Sequence, residues 1–173
     1  TQGKLALGFR TGGITVSHPD YPALLVMDNL YGGSSNSKLF MNVREKLSLC
    51  YFAFSALDKR KGLMVVSSGV EFDKFGRAKE EILAQLDAVR RGEFTEEEMT
   101  AARQGVTSSL RAALDSQGRL EDYWTAQLLS GGPLAGPESL IEPVERVTVE
   151  DVARVARAVE LDTVYQLAGR EDV

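Results

Sequence analysis

Residues 31–51 read YGGSSNSKLFMNVREKLSLCY, and no other stretch of the chain is as informative. A glycine-serine turn leads into a short basic helix, and an aromatic strand follows. This order places Arg44 and Tyr51, which are seven residues apart, at a helix-to-strand junction beside a polar loop. Such a junction can present a guanidinium and a phenol to a ligand, but it can equally be an ordinary helix–strand unit.

Four segments of the chain have strand character. Residues 4–10 alternate apolar side chains with polar or small ones, which is the period of a half-buried strand. Residues 51–57 and 63–70 are aromatic and β-branched runs on either side of a charged, glycine-containing loop, and this pattern predicts a β-hairpin. A closing strand is predicted over residues 163–167.

Apolar residues at helical spacing fill the intervals between these strands. Thr95 and Glu98 form the sequence pattern of a capping box, which satisfies free amides at a helix start. The element order predicts one α+β domain over residues 1–173, a two-layer sandwich in which helices pack on one face of a mostly antiparallel sheet of about four strands. The predicted helices cover residues 20–33, 35–46, 73–92, 95–113, 115–129 and 148–159.

Composition and charge limit the possible classes of function. The chain has 173 residues, of which 43% are hydrophobic and 26% charged, and these values are typical of a soluble globular domain. Its net charge of −5 and the absence of a basic stripe argue against a nucleic-acid partner. No apolar run approaches the ~20 residues that span a bilayer, and no signal peptide is recognisable. Because the first residue is Thr1, we expect a domain of a longer protein, and the single cysteine suggests a reducing, cytoplasmic location.

The inventory of reactive side chains excludes most self-contained active sites. His18 is the only histidine and lies in a proline-rich turn, where a surface role is the simpler interpretation. Cys50 fits a buried small hydrophobic residue better than a thiolate nucleophile. One histidine and one cysteine cannot supply the usual ligands of a zinc site, so no metal site is predicted in this chain. The glycine loop at residues 32–38 lacks the Gly-Lys-Ser/Thr ending of a P-loop.

The order and spacing of several segments resemble a known family. The chain looks like the second, non-zinc-binding type of domain in the pitrilysin/insulinase family, which includes mitochondrial processing peptidase and bacterial processing-type zinc peptidases. The segments that carry the resemblance are GGSSNSKLF at 32–40, VREKLSLCY at 43–51, TEEEMTAAR at 95–103, DS at 115–116 and VTVEDV at 147–152.

The resemblance implies a fold, a partner and a cofactor. Family members combine two-layer α+β units into halves that enclose a chamber in which peptides are cut. Their zinc is held in another domain by the motif H-x-x-E-H and a distant glutamate. This chain lacks that motif, so the resemblance implies that it is the C-terminal domain of a longer subunit. The implied partner is a zinc-binding domain or subunit of the same family, in a homo- or heterodimer. The implied substrate is a peptide.

The resemblance also implies roles for individual residues. Arg44 would hold the substrate backbone, and Tyr51 would donate a hydrogen bond to the tetrahedral intermediate. Ser48 and Cys50 stand where glycine and alanine are frequent in the family, a departure that points to a subgroup of partner subunits with inactive members. The residues that would match the family's substrate-handling loop are Gly32, Gly33, Ser34, Ser35 and Asn36.

Two functions therefore compete. In the favoured hypothesis, the chain is a non-catalytic, substrate-binding and chamber-forming domain of a zinc-dependent endopeptidase. In the alternative, it is a catalytically inactive scaffold or partner subunit of a complex, as the core proteins of respiratory complex III are. A stand-alone hydrolase that uses Cys50 is a weak third hypothesis.

Overall fold

Four antiparallel strands form one sheet in the computed structural model, which describes residues 2–131 and 134–169. The strands lie in the order β2-β3-β1-β4, so that β2 and β4 are the two edges. In β1 the inward-facing Leu5, Leu7 and Phe9 are almost fully buried, as their alternation predicts. The strands are β1 (Gln2–Arg10), β2 (Phe52–Asp58), β3 (Leu63–Glu71) and β4 (Glu160–Leu167).

The helices form the second layer, on the face of the sheet toward which Leu5, Leu7 and Phe9 point. The α+β sandwich and its single covered face are confirmed. None of the helices in the described residues is long and apolar enough to cross a membrane. The helices are α1 (Tyr21–Asp28), α2 (Phe75–Arg90), α3 (Glu96–Leu114), α4 (Gln117–Ser130), α5 (Ile141–Glu145) and α6 (Val149–Ala158).

Side-chain caps fix two helix starts where the sequence predicts them. The Thr95 hydroxyl accepts from the backbone N–H of Glu98, and the Glu98 carboxylate accepts from the backbone N–H of Thr95. Thr148 and Asp151 form the same reciprocal pair at α6. Each box satisfies amides that have no partner inside the helix, which stabilises the helix start and defines its first residue.

Several predicted elements need correction. The predicted helix that ends at Lys46 is π-helical over Leu39–Lys46, and α1 also continues as a π-helical turn over Asn29–Gly33. The helix that the sequence predicts from residue 73 begins at Phe75, because Asp73 lies in a 3-10 turn and Lys74 occupies the cap position. The closing strand begins at Glu160 rather than at residue 163.

The region between α4 and α6 also differs from the prediction. A 3-10 turn at Pro137–Leu140 and the short helix α5 follow the glycine-proline loop, and sequence spacing had indicated neither. Gly132 and Pro133 of that loop lie outside the described residues.

The π-helical segment Leu39–Lys46 determines which side chains reach the surface beside β2. Leu39 and Val43 are fully buried against the core, and Leu49 is almost fully buried after the segment ends. Arg44 follows Val43 directly, so the burial of its neighbour turns the guanidinium toward the rim of the sheet. Single π-helical turns are rare in proteins, and those that occur are often found at functional sites.

Candidate functional site

A pocket of about 360 Å³ lies where the π-helical segment ends and β2 begins. It contains both residues that the sequence singles out, Arg44 and Tyr51, and acidic side chains from two neighbouring elements. The lining residues are Arg44, Glu45, Ser48, Leu49, Cys50, Tyr51 and Glu71. The junction is therefore a concave surface rather than a flat one.

Three contacts hold the Arg44 guanidinium in place. Its Nε donates to the backbone carbonyl of Tyr51 at 2.9 Å, and Nη1 lies 3.1 Å from the Glu45 carboxylate. The guanidinium carbon also lies 4.6 Å from the centre of the Phe40 ring, within the range of a cation–π contact. The side chain keeps 39% of its surface exposed, so the arrangement fixes the guanidinium without removing it from solvent.

Tyr51 stands at the start of the edge strand β2 and is 56% exposed. Its backbone N–H donates to the carbonyl of Gly69, which ties the residue to β3. The phenol donates to the Glu71 carboxylate at 3.3 Å. Lys74 in turn pairs with Glu71 at 2.9 Å, and both contacts lower the pKa of Glu71. The phenol is thus held beside an ionised carboxylate at the mouth of the pocket.

The backbone at Ser48 adopts a conformation that favours glycine. Ser48 has φ of 48°, in the left-handed region that glycine adopts at the least cost. At this position, where the resemblance implies glycine, the chain reverses between the π-helical segment and β2. Serine accepts this conformation here at some cost in strain.

The loop predicted to contact substrate does not contribute to this pocket. Gly32 is buried against β2, where a Cβ atom would lie 2.6 Å from the Ser55 hydroxyl. Gly33, Ser35 and Asn36 are exposed, and Ser34 is half-buried with its hydroxyl donating to the carbonyl of Asn29. Arg44 and Tyr51 therefore line the same pocket, whereas the residues of the loop are not among those that line it.

Neither of the chain's other reactive side chains is poised for nucleophilic chemistry. Cys50 is half-buried, and burial raises the pKa of its thiol, which disfavours the thiolate. The Nδ1 atom of His18 accepts from the backbone N–H of Asp20 and so orders the turn before α1. These contacts are consistent with a packing role for Cys50 and with a role of His18 as a surface turn residue.

The side chains present do not fit a zinc site. Within residues 2–131 and 134–169, no cluster of three or more histidine, cysteine, aspartate or glutamate side chains could hold a metal ion. Cys50, the one soft ligand, favours its protonated form.

Comparison with known proteins identifies the family. The sequence profile described as "Peptidase M16 inactive domain" matches residues 1–106, more than half of the chain. The chain belongs to this family. The resemblance that rests on the segments at 32–40 and 43–51 is thereby confirmed.

Individual relatives of this M16 domain agree with the assignment. It is 38% identical over 98% of its length to "Probable inactive metalloprotease YmfF" of Bacillus subtilis, and 28% identical over 90% to "Uncharacterized zinc protease YmxG" of the same organism. A conserved protein from Enterococcus faecalis V583 superposes on all of it with a TM-score of 0.91 and 29% identity. The chain spans 39%, 38% and 40% of these three proteins, about two fifths of each.

Two residues of the site in this M16 domain were not found from the sequence. Phe40 precedes Arg44 by four positions, and such helical spacing signals a contact between side chains. Glu71 had no comparable signal, because its contact with Tyr51 depends on the register of two strands joined by a loop.

Proposed function

We propose that this M16 domain binds and orients peptide substrates of a zinc-dependent endopeptidase whose zinc centre lies on another domain or subunit. The observation that carries the proposal is that Arg44 and Tyr51 are both exposed and line one pocket at the edge of the sheet. A guanidinium and a phenol at one concave surface can both donate hydrogen bonds to the same ligand.

Each of the two side chains has a distinct part in the proposal. Arg44 presents a planar fork of N–H groups, which binds carbonyl or carboxylate oxygens of a peptide with defined geometry. The Tyr51 hydroxyl donates a hydrogen bond to the carbonyl oxygen on which negative charge develops when the peptide is attacked. Glu71 accepts from the same hydroxyl at 3.3 Å, so the phenol must exchange this partner for the substrate.

The remaining features of the proposal come from the family. The exposed part of the loop, Gly33 to Asn36, would contact the substrate chain beyond the pocket, and Gly32 would support it from inside. The sheet would form part of a chamber wall, and a zinc-binding domain or subunit, in a homo- or heterodimer, would complete it. A cytoplasmic location is proposed on the single, half-buried cysteine.

The test is to replace Tyr51 with phenylalanine in the full-length protein together with its zinc-binding partner. Loss of a hydrogen-bond donor to a developing oxyanion lowers kcat by about 10²–10³-fold, and we expect a fall toward this range with little change in KM. Tyr165→Phe is the matched control, because Tyr165 is 55% exposed on the opposite edge strand. An unchanged kcat in Tyr51→Phe would exclude the proposed role.

A scaffold role is the second candidate, and particular contacts favour it. The Arg44 guanidinium and the Tyr51 hydroxyl both have partners within this chain, namely Tyr51, Glu45 and Glu71. The relative YmfF is also named as an inactive metalloprotease. If the complete protein and its partner cleave no peptide but still form a stable complex, the scaffold function is the correct one.

A further inference from the structure

A second and larger cleft lies on the helical side of the sheet, far from Arg44 and Tyr51. It opens between α1, the turn after β2, α3 and α4, and its volume is about 810 Å³, within the ~300–1,000 Å³ usual for small-ligand sites. The two pockets open toward opposite ends of β2, because Tyr51 lines one and Leu57 the other, about 20 Å along the strand at ~3.3 Å per residue. Nothing in the proposed peptidase function uses this cleft.

Part of the wall of the cleft is apolar, and the remainder is polar or charged. Leu25 of α1, Leu57 of β2, and Val106 and Leu110 of α3 contribute aliphatic surface, and Ala126 of α4 completes it. Such a surface holds the hydrocarbon part of a ligand.

Two acceptor oxygens on adjacent residues supply the polar part of the interior. Asp28 lies at the end of α1, and its Oδ1 accepts from the Ser55 hydroxyl at 2.6 Å. Asn29 follows it, and its Oδ1 is buried without a hydrogen-bond partner among the described residues. Buried polar atoms are normally paired, so an unpaired acceptor beside a carboxylate indicates a missing donor.

The charge on Asp28 opposes the stability of the fold. Burial raises the pKa of its carboxyl to about 6, although the bond from Ser55 and the nearby Lys59 lower it. The carboxylate is therefore ionised at neutral pH in a place that disfavours it. Perturbed groups of this kind in a cleft are concentrated at functional sites.

The basic residues around the cleft do not make it an anion site. Arg60 and Arg119 are exposed and stand at the mouth, in contact with water. Lys59 is exposed along its stem, but partial burial of its ammonium lowers its pKa, and the ammonium lies near the Asp28 and Asp122 carboxylates, which raise that pKa in part. An anion that entered the cleft would meet the Asp28 carboxylate. The Asp58 carboxylate is already engaged, because it accepts from the backbone N–H groups of the turn.

We propose that this cleft binds an amphipathic organic cation, whose amine or guanidinium donates to Asp28 and Asn29 while its apolar body packs on Leu25, Val106 and Leu110. The inference goes beyond the proposed peptidase function and does not depend on it. A free organic amine and the basic side chain of a peptide share this chemistry.

The first test is titration calorimetry of the chain with 4-phenylbutylamine and with acetyl-Leu-Arg-Leu-amide. Each has a matched ligand that is uncharged, namely 4-phenyl-1-butanol and acetyl-Leu-Gln-Leu-amide. At about 0.3 kcal/mol per heavy atom, a Kd in the low millimolar range is expected for the free amine. Binding by the amine identifies a free amine as the ligand class, and binding by the arginine peptide alone identifies a peptide side chain.

Variants connect that binding to the cleft. Asp28→Asn should weaken binding of the cationic ligands at least about tenfold. Asp73→Asn, which changes an exposed aspartate beyond the opposite end of β2, should leave the affinity unchanged. Ser109→Trp adds bulk at an exposed position of the lining and should block binding even if Asp28→Asn alters folding. Equal binding of charged and uncharged ligands, unchanged affinity in Asp28→Asn, or no binding at about 10 mM ligand would each overturn the proposal.

The dependence of binding on pH gives an independent readout. The groups around Asp28 are Lys59 from the turn, Tyr21 and Tyr31 from its own helix and the turn that extends it, and, on the α4 side of the cleft, Asp122, which lies near Lys59. As the pH falls from 7.5 to 5, Asp28 takes up a proton and the affinity for the cation should drop about tenfold. The Asp28→Asn variant should lack this dependence, whereas a dependence retained in that variant would contradict the assignment.

Discussion

Asp28 carries a carboxyl group that the fold holds away from water. Burial raises its pKa from the ordinary value of 3.8 to about 6, so the folded protein binds this proton more tightly than the unfolded chain does. The stabilising effect of the protonated form is fully present below pH 3.8 and is lost as the pH rises through about 6. Ionised Asp28 therefore costs about 3 kcal/mol of unfolding free energy at pH 8.

The variant Asp28→Asn removes this titration. We expect its unfolding free energy, measured relative to the unaltered protein by urea denaturation, to increase by about 2.5 kcal/mol between pH 4 and pH 8. Taking the difference between the two proteins cancels the contributions of other carboxylates. Asp73→Asn serves as the exposed control, with no such change. Parallel pH profiles for Asp28→Asn and the unaltered protein would show that the carboxyl is solvated.

At the residue scale, the sequence singled out Arg44 and Tyr51 but did not indicate their local partners. Their spacing and the loop–helix–strand order were visible, and the structure places both in one pocket. The bond from the Arg44 guanidinium to the Tyr51 carbonyl depends on where the chain reverses, at the left-handed Ser48. The buried position of Asp28 was likewise invisible, because it requires α3 and α4 to pack across α1.

At the scale of single elements, the start of α3 joins two parts of the molecule. Glu98 accepts from the backbone N–H of Thr95 through Oε2, and from the Lys38 ammonium at 3.2 Å through Oε1. Only 8% of the Lys38 side chain is exposed, so its ammonium lies almost fully buried beside this carboxylate. Lys38 immediately precedes the π-helical segment, and α3 therefore fixes the segment that carries Arg44.

We expect Glu98→Ala to cost about 3 kcal/mol of unfolding free energy, because it removes half of the capping box and leaves a buried ammonium without its partner. Thr95→Ala, which removes only the cap, should cost about 1 kcal/mol. Glu97→Ala is the matched control in the same turn and should cost about 0.5 kcal/mol or less, since Glu97 is exposed. Urea denaturation measures all three, and an effect of Glu98→Ala no larger than that of Thr95→Ala would contradict the role of the ion pair.

The elements that sequence reasoning found are those with strong local signals. Capping boxes, apolar spacing and the glycine-containing hairpin loop act within a few residues, and all three appear in the structure. The π-helical turns have no such signal, because the shift from α-helical to π-helical bonding depends on how Leu39 and Val43 fit the core. β4 was predicted too short because its first residues pair with β1 across a bulge.

At the scale of the whole molecule, β4 is an edge strand with apolar side chains on both faces. Leu161, Val164, Tyr165 and Leu167 are between 40% and 55% exposed, and no described strand pairs with the outer side of β4. Edge strands with exposed apolar residues are templates for pairing with another chain. We therefore expect the chain to self-associate through β4 at high concentration.

A lysine at Val164 should weaken this association at least about tenfold, because an inward-pointing charge on an edge strand opposes pairing. Val65→Lys is a closely matched control, since Val65 has the same 40% exposure but lies on β3, away from the edge. Sedimentation of both variants over a range of concentrations distinguishes the strand edge from the open face of the sheet. Loss of association in Val65→Lys but not in Val164→Lys would place the contact on that open face, where Phe54 and Val65 are exposed, and would contradict pairing through β4.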